Sequence, residues 1–501
     1  MSTTRSTPTL IFFFFFLALC YNPSYGAAQT SNFIHTARTV RHVLNDVTNV
    51  LRDELSTMGS VDNSRLSNAI STCLELLDLS TDEIGRCMSA FEGSEGKHEG
   101  TGNLSSDLRT WLSAIVADTH TCMEGFEGTN NGRVKDLISP KVDQVNSLVH
   151  ELFTLVHHVS HQSNSQGQGE LPPWVDPRDL QSNVDLPDAI VAADGSGEFK
   201  SIMDAVRAAP DFSSRRYVIY IKRGVYNEIV SIGKNKWNLK MVGDGMDLTV
   251  ISGSLSYHQN LTTYYTATLG VDGRGFIAQR ISFRNTAGPE YHQVVALRSA
   301  ADLSVFDECE IFGYEDSLYA YSQRQFYRYC YIRGTVDFIF GHASAVFQSC
   351  NLLVKKGLPM QKNTITAQDR TSSSLASAFS FQFCKISADL DLLPFVGSIS
   401  TYLGRPWKQY SRVAFMQSYM SDVVSPEGWL EWSGTLYLDT LYYAEYNNYG
   451  PGARLDRRVK WAGFHVITDS SQASEFTVSE LIMGEQWLPS TGVAFVPGLG
   501  N

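Results

Sequence analysis

Residues 30–160 and 187–501 carry two different hydrophobic rhythms. In the first, Val40, Val43, Leu44, Val47, Val50 and Leu51 recur at i, i+3, i+4 and i+7, which places them on one face of a helix. The same spacing runs through 66–91, 108–126 and 134–159, with Gly-, Ser- and Asn-rich breaks between them. Four amphipathic helices with short connections predict an all-α antiparallel four-helix bundle. After residue 187 the rhythm becomes short β-rich runs, such as Tyr217-Val-Ile-Tyr-Ile221, separated by Gly and Asn turns.

A weak repeat runs through this second part. Its form is apolar-x-x-Z-x-apolar, and Z is Cys309, Cys330, Cys350 and Cys384 in turn, with Gln279 and Ser418 extending the series. The Z positions are 30, 21, 20, 34 and 34 residues apart. A rung of that length, stretched only where a loop is inserted, predicts an all-β right-handed parallel β-helix. Between the halves, residues 161–186 are polar, with Gly and Pro and no apolar period, and read as a linker.

At the N-terminus, Arg5 precedes an apolar run over residues 10–20 and small residues at Gly26-Ala27-Ala28. That layout predicts a secretory signal peptide over 1–27, too short in its apolar part to anchor in a membrane. Export permits disulfides. Seven cysteines remain after Cys20 leaves, an odd number, so at least one thiol stays outside any intramolecular bridge. Cys73 and Cys122 fall on the second and third helices and are placed to staple them. In the repeat, Cys330 with Cys350 and Cys309 with Cys330 are equally good neighbours. Asn103 and Asn260 begin glycosylation triplets.

Charge separates the halves again. Residues 1–186 hold 12 Lys+Arg against 22 Asp+Glu, and residues 187–501 hold 28 against 30. Neither has a dense basic patch, which argues against a nucleic-acid partner. No Cys-x-x-Cys or His-Glu-x-x-His spacing suggests a metal.

The chemistry gathers in Gly313-Tyr-Glu-Asp-Ser-Leu-Tyr-Ala-Tyr-Ser322. In an extended run, Glu315 and Asp316 would point to opposite faces and meet different environments. Asp316 lies seven residues after Cys309, and Asp337 lies seven after Cys330. Equivalent cysteines imply equivalent aspartates on successive rungs, ~4.8 Å apart. Two carboxyls at that spacing cannot both ionise freely, so one pKa rises. The result is an ionised nucleophile beside a protonated acid.

Five ordered segments carry a resemblance: Gly224-Val-Tyr-Asn-Glu-Ile-Val230, Gln293-Val-Val-Ala-Leu-Arg298, Gly313–Tyr319, Asp337-Phe-Ile-Phe-Gly341 and Leu403-Gly-Arg-Pro-Trp407. Together they resemble plant pectin methylesterases across 187–501. Leu108-Arg-Thr-Trp-Leu-Ser-Ala114 and Thr121-Cys-Met-Glu-Gly-Phe126 resemble the pectinesterase-inhibitor-like pro-region found in such chains. The resemblance implies a secreted cell-wall esterase acting on methylated galacturonan, without cofactor or metal, and working as a monomer. It implies Asp337 as nucleophile, Asp316 as acid and base, and Gln293 as a donor to the oxyanion. It implies Arg405 holding Asp337, Trp407 offering a ring face to a sugar, and Thr263 touching substrate. It also implies bridges Cys330–Cys350 and Cys73–Cys122, and contact with inhibitor-type bundles within the chain or in trans.

The chain departs from the family pattern where Glu315 replaces the usual Gln, the second oxyanion donor. An ionised glutamate cannot donate and would repel the developing charge, whereas a protonated one can donate. Two expectations follow: an acid-favouring esterase, or a catalytically impaired relative that still binds pectin. Tyr321 stands where the family usually has His, and Arg178-Asp-Leu-Gln181 stands where a basic processing site is usual.

Overall fold

The period-3.6 stripes become helices α1 (Pro23–Thr57), α2 (Ser64–Phe91), α3 (Leu104–Gly125) and α4 (Arg133–Val159). Each packs on its neighbours in sequence, and α1 closes the ring against α4. Their stripes meet in a core of Leu44, Ile70, Leu112 and Val145, all fully buried. Asn103 starts α3, its side-chain oxygen accepting the Ser106 N–H, which satisfies a donor the helix itself leaves unpaired. Cys73 and Cys122 are bonded and tie α2 to α3.

This computed structural model describes residues 23–58, 64–92, 100–129, 132–159 and 186–500. The apolar run over 10–20, the body of the linker and its Arg178-Asp-Leu-Gln181 segment lie outside the described residues. Among the described residues, no helix is long and apolar enough to cross a membrane.

From Ala189 onward the chain winds into a parallel β-helix with three sheets of 11, 7 and 8 strands. Phe306, Tyr327, Phe347, Phe381 and Phe415 stack up its interior with ring centroids 4.9, 4.6, 4.6 and 4.4 Å apart. That is the strand spacing of a sheet, so each rung delivers one ring to a single column.

The register corrects two expectations. Phe306 pairs with Ala278, not Phe276, so the residue stacked under Cys309 is Ile281 rather than Gln279. A slip of two residues keeps every side chain on its face, so alternation cannot detect it. The Cys330–Cys350 bridge is also absent: both remain buried thiols, as do Cys309 and Cys384. In one column of a parallel ladder the Cβ bonds point the same way, whereas a bridge needs them to converge. Each thiol donates instead to a carbonyl of the rung below, Cys330 to Phe306 at 3.3 Å and Cys350 to Tyr327 at 3.5 Å.

The bundle sits on the outer face of the seven-stranded sheet. Tyr264, Tyr319, Tyr321, Phe340 and Leu375 of the β-helix continue the bundle's own apolar core. Several polar groups in this seat are paired across it. Arg324, 1 % exposed, spans Asp107 of α3 and Asp302 of the β-helix. Trp111 Nε1 donates to Asp302 at 3.2 Å. Tyr321 donates to Asp118 at 2.9 Å, which gives this departure from the family's histidine a partner on α3.

Burial pushes the Asp118 carboxyl well up, and burial together with Glu124 does the same to Asp369. A raised acid contributes stability below its unfolded pKa and loses it as pH rises through the folded value. His120, pushed down to about 3, and His342, pushed down to about 4, act in the opposite sense only below their unfolded range. Above about pH 7.5 both histidines are largely neutral in either state. The melting temperature of the full chain is therefore expected to fall from about pH 7.5 to 9, and less steeply in Asp118→Asn. A scanning-calorimetry series that rises over this window counts against buried protonated acids in the seat.

Candidate active site

Successive turns of the seven-stranded sheet build the site. Leu318 pairs with Ile339 and Tyr319 with Phe340, so Asp316 and Asp337 occupy one column, as their spacing predicts. The next strand pairs Ile339 with Thr366, which places Thr364 next in that column. Both aspartates hold left-handed backbones, with φ of 64° and 49°. This breaks strand alternation at Asp316. Glu315 and Asp316 therefore do not part to opposite faces as an extended run would require; both line one chamber.

That chamber has a volume of about 550 Å³ and is lined by Thr263, Gln293, Glu315, Asp316, Asp337, Arg405 and Trp407 together. All seven residues singled out from sequence meet there. Its remaining wall includes Trp432 and His292 and, from the bundle, Arg65, Thr121, Glu124 and Glu127. The helices thus roof the chamber.

Asp337 is held by donors. Arg405 Nε lies 2.9 Å from Oδ1 and a terminal nitrogen 2.6 Å from Oδ2. The Thr364 hydroxyl donates to Oδ1 at 2.6 Å and accepts the Asp337 N–H at 2.8 Å. The Arg405 guanidinium in turn lies 4.3 Å from the Trp432 ring centre. Such a carboxylate is fixed in place by charge-assisted bonds.

Asp316 is the opposite case. It is 6 % exposed, and among the described residues no hydrogen-bond donor offsets its burial. Burial, then Glu315, then Asp337 push its pKa well above the usual carboxylate range. Burial and Asp337 also raise Glu315, while His292, 3.6 Å away through Nδ1, and Arg405 oppose the rise. Two acids with raised pKa values therefore flank a clamped carboxylate, a division suited to nucleophile and acid roles. Thr263 donates to Gln293 Oε1 at 2.7 Å. This turns the amide oxygen toward Thr263 and its N–H edge away.

Sequence reasoning missed Thr364, Trp432, His292 and the bundle's wall. Thr364 could have been found by carrying the column one rung further. The others carry no periodic signal. Asn103 and Asn260 are both exposed; Asn260 leads into Leu261 and Thr262, which touch Arg65 and Asn68 of the bundle.

Comparison with known proteins agrees with both halves. The pectinesterase family matches residues 188–485, and the plant invertase/pectin methylesterase inhibitor family matches residues 24–157. A pectinesterase/pectinesterase inhibitor of Prunus persica is 57% identical over 440 residues, 87% of this chain and 84% of its own. A probable pectinesterase/pectinesterase inhibitor of Arabidopsis thaliana is 50% identical over 95% of each chain. Among solved structures, pectin methylesterase from carrot is 48% identical with a TM-score of 0.63. It is matched over 100% of its length by 64% of this chain. The pectin methylesterase of Aspergillus niger is 29% identical, with a TM-score of 0.52 over 61% of this chain and 97% of its own. By its sequence and its fold, this chain belongs to the pectinesterase family and carries that family's inhibitor-type helical domain ahead of the β-helix.

Proposed function

We propose that the β-helix hydrolyses methyl esters of cell-wall homogalacturonan through Asp337 and Asp316, and that the bundle, as placed here, keeps the site covered. The observation that carries the reading is the column itself: a carboxylate clamped by Arg405 and Thr364, one rung from a buried acid. Asp337 attacks the ester carbonyl. Gln293 donates to the oxyanion, and Glu315 does so while it holds its proton. Asp316 gives its proton to the leaving methanol, then takes one from the water that releases the acyl-enzyme. Trp407 presents a ring face to a sugar, and Thr263 orients Gln293.

Because the helices supply part of the chamber wall, a polymer cannot lie along the cleft until they move. The second reading, an impaired pectin-binding relative, is favoured by the same Glu315, whose ionised form opposes the oxyanion.

The test is methanol release from methylated pectin by residues 187–501 and by the full chain at equal concentration. The half is expected to release methanol faster than the full chain and leave polymer length unchanged. Shortened polymer would point to a lyase or glycosidase. Silence from the half across pH would leave pectin binding as the role.

A further inference from the structure

Ion pairs between bundle and β-helix differ in where they lie. Lys234 meets Asp78 and Asp82 on the flank of the seat, and Arg324 meets Asp107 in its interior. Among the described residues, only the contact of Lys408 with Glu124 borders the chamber: Glu124 is part of the chamber wall, and Lys408 follows Trp407, which is another part. Lys408 Nζ lies 2.6 Å from Glu124 Oε1 and 5.3 Å from the Trp407 ring centre.

Among the described residues, Glu124 is the one carboxylate within ion-pair distance of this ammonium. Its other acidic neighbour, Asp369, is buried and held toward its neutral form by burial and by Glu124. His120, beside Glu124, is neutral and supplies no competing cation. Removing the bundle takes away Glu124, the carboxylate paired with this ammonium, and leaves the half-buried ammonium beside the aromatic face with Asp369 as its remaining acidic neighbour.

The chemistry of the cleft calls for such a group. The β-helix lines the chamber with three carboxyls, Glu315, Asp316 and Asp337, and with one guanidinium, Arg405, already committed to Asp337. Each turnover of the proposed reaction turns a neutral ester into a carboxylate on the polymer. With Arg405 committed to Asp337, a free acid on the polymer finds its charge partner in a cation beside the sugar-binding ring.

The geometry points to Lys408 as a subsite for a free uronate carboxylate, the position that Glu124 of the bundle fills in the covered form. This rests on the esterase reading for the identity of the polymer but not on turnover. A sugar on Trp407 then meets Lys408 through its C6 carboxylate, so already de-esterified stretches are held in the cleft while a neighbouring ester reacts.

The experiment titrates a galacturonate oligomer without methyl esters into residues 187–501 by calorimetry at low and moderate salt. Wild type, Lys408→Gln and Lys408→Arg are compared after circular dichroism confirms equal folding. Lys408→Gln is expected to weaken binding about fivefold and flatten its salt dependence, with Lys408→Arg within about twofold of wild type. In methanol release, the ratio of kcat/KM on partly de-esterified to fully methylated pectin should fall in Lys408→Gln and recover in Lys408→Arg. Wild-type affinity in Lys408→Gln, with an unchanged salt slope, overturns the assignment. If wild type releases no methanol, the esterase reading fails while the oligomer titration still decides Lys408.

Discussion

Glu315→Gln is expected to make the β-helix half a faster esterase at neutral and alkaline pH and to bring little change at acid pH. The sign follows from what each side chain can donate. The Glu315 carboxyl serves an oxyanion only while protonated. Burial and the neighbouring Asp337 raise its pKa, and His292 and Arg405 hold that rise in check. As pH climbs through the raised value the proton leaves, a donor is lost, and a negative charge replaces it. A glutamine amide donates at every pH. Losing one oxyanion donor typically costs about 10²–10³ in rate, so kcat/KM of the variant should exceed wild type by about 10² at alkaline pH and converge on it as pH falls below the raised Glu315 value. The substitution also removes one of the charges that keep Asp316 protonated, but burial is the largest cause there and remains. Initial rates of methanol release from pH 4 to 8 decide the matter. A rate ratio that stays constant with pH shows that Glu315 is no donor. A silent wild type beside an active variant shows a competent scaffold stopped by one residue.

How much of this was legible beforehand depended on how local the signal was. The two stripes of apolar residues set the helices and rungs because periodicity is a property of neighbouring residues. The Asp316–Asp337 column followed from equal offsets to Cys309 and Cys330, and Phe306 over Tyr327 and Phe347 shows why: rungs of 21 and 20 residues leave no room for ambiguity. The longer loop before Cys309 did leave room, and the Gln279 register slipped by two. Glu315 and Asp316 were expected to part because alternation assumes an extended chain, and the left-handed turn at Asp316 is not written in hydrophobicity. The cysteine column was visible, but a shared column brings thiols near without turning them toward each other. Trp432, His292 and the pairing of Lys408 with Glu124 join segments distant in sequence, and no spacing rule reaches them. Tyr321 was seen only as a departure; its partner Asp118 lies on another half of the chain.

Asn substitutions at the two aspartates should both abolish esterase activity while moving stability in opposite directions. Asp337→Asn removes the nucleophile, and loss of a nucleophile costs about 10³-fold or more in kcat. It also strips Arg405, whose side chain is 25% exposed, of its carboxylate partner. A mostly buried cation left unpaired costs about 1–3 kcal/mol, so the melting temperature should drop. Asp316→Asn also ends turnover, because an amide can neither protonate methanol nor accept a proton from water. Its effect on the fold is the reverse. The native carboxyl is buried and faces Glu315 and Asp337, so its folded pKa is raised. Wild type therefore loses stability as pH rises above the unfolded value, and the amide escapes that loss. The melting temperature of Asp316→Asn should match wild type near pH 4 and exceed it near pH 7, with the gap growing between. Thermal melts across that range, set beside methanol release, separate chemistry from architecture. If the pair served only to hold the β-helix together, both substitutions would lower the melting temperature and leave esterase activity in proportion to the folded fraction.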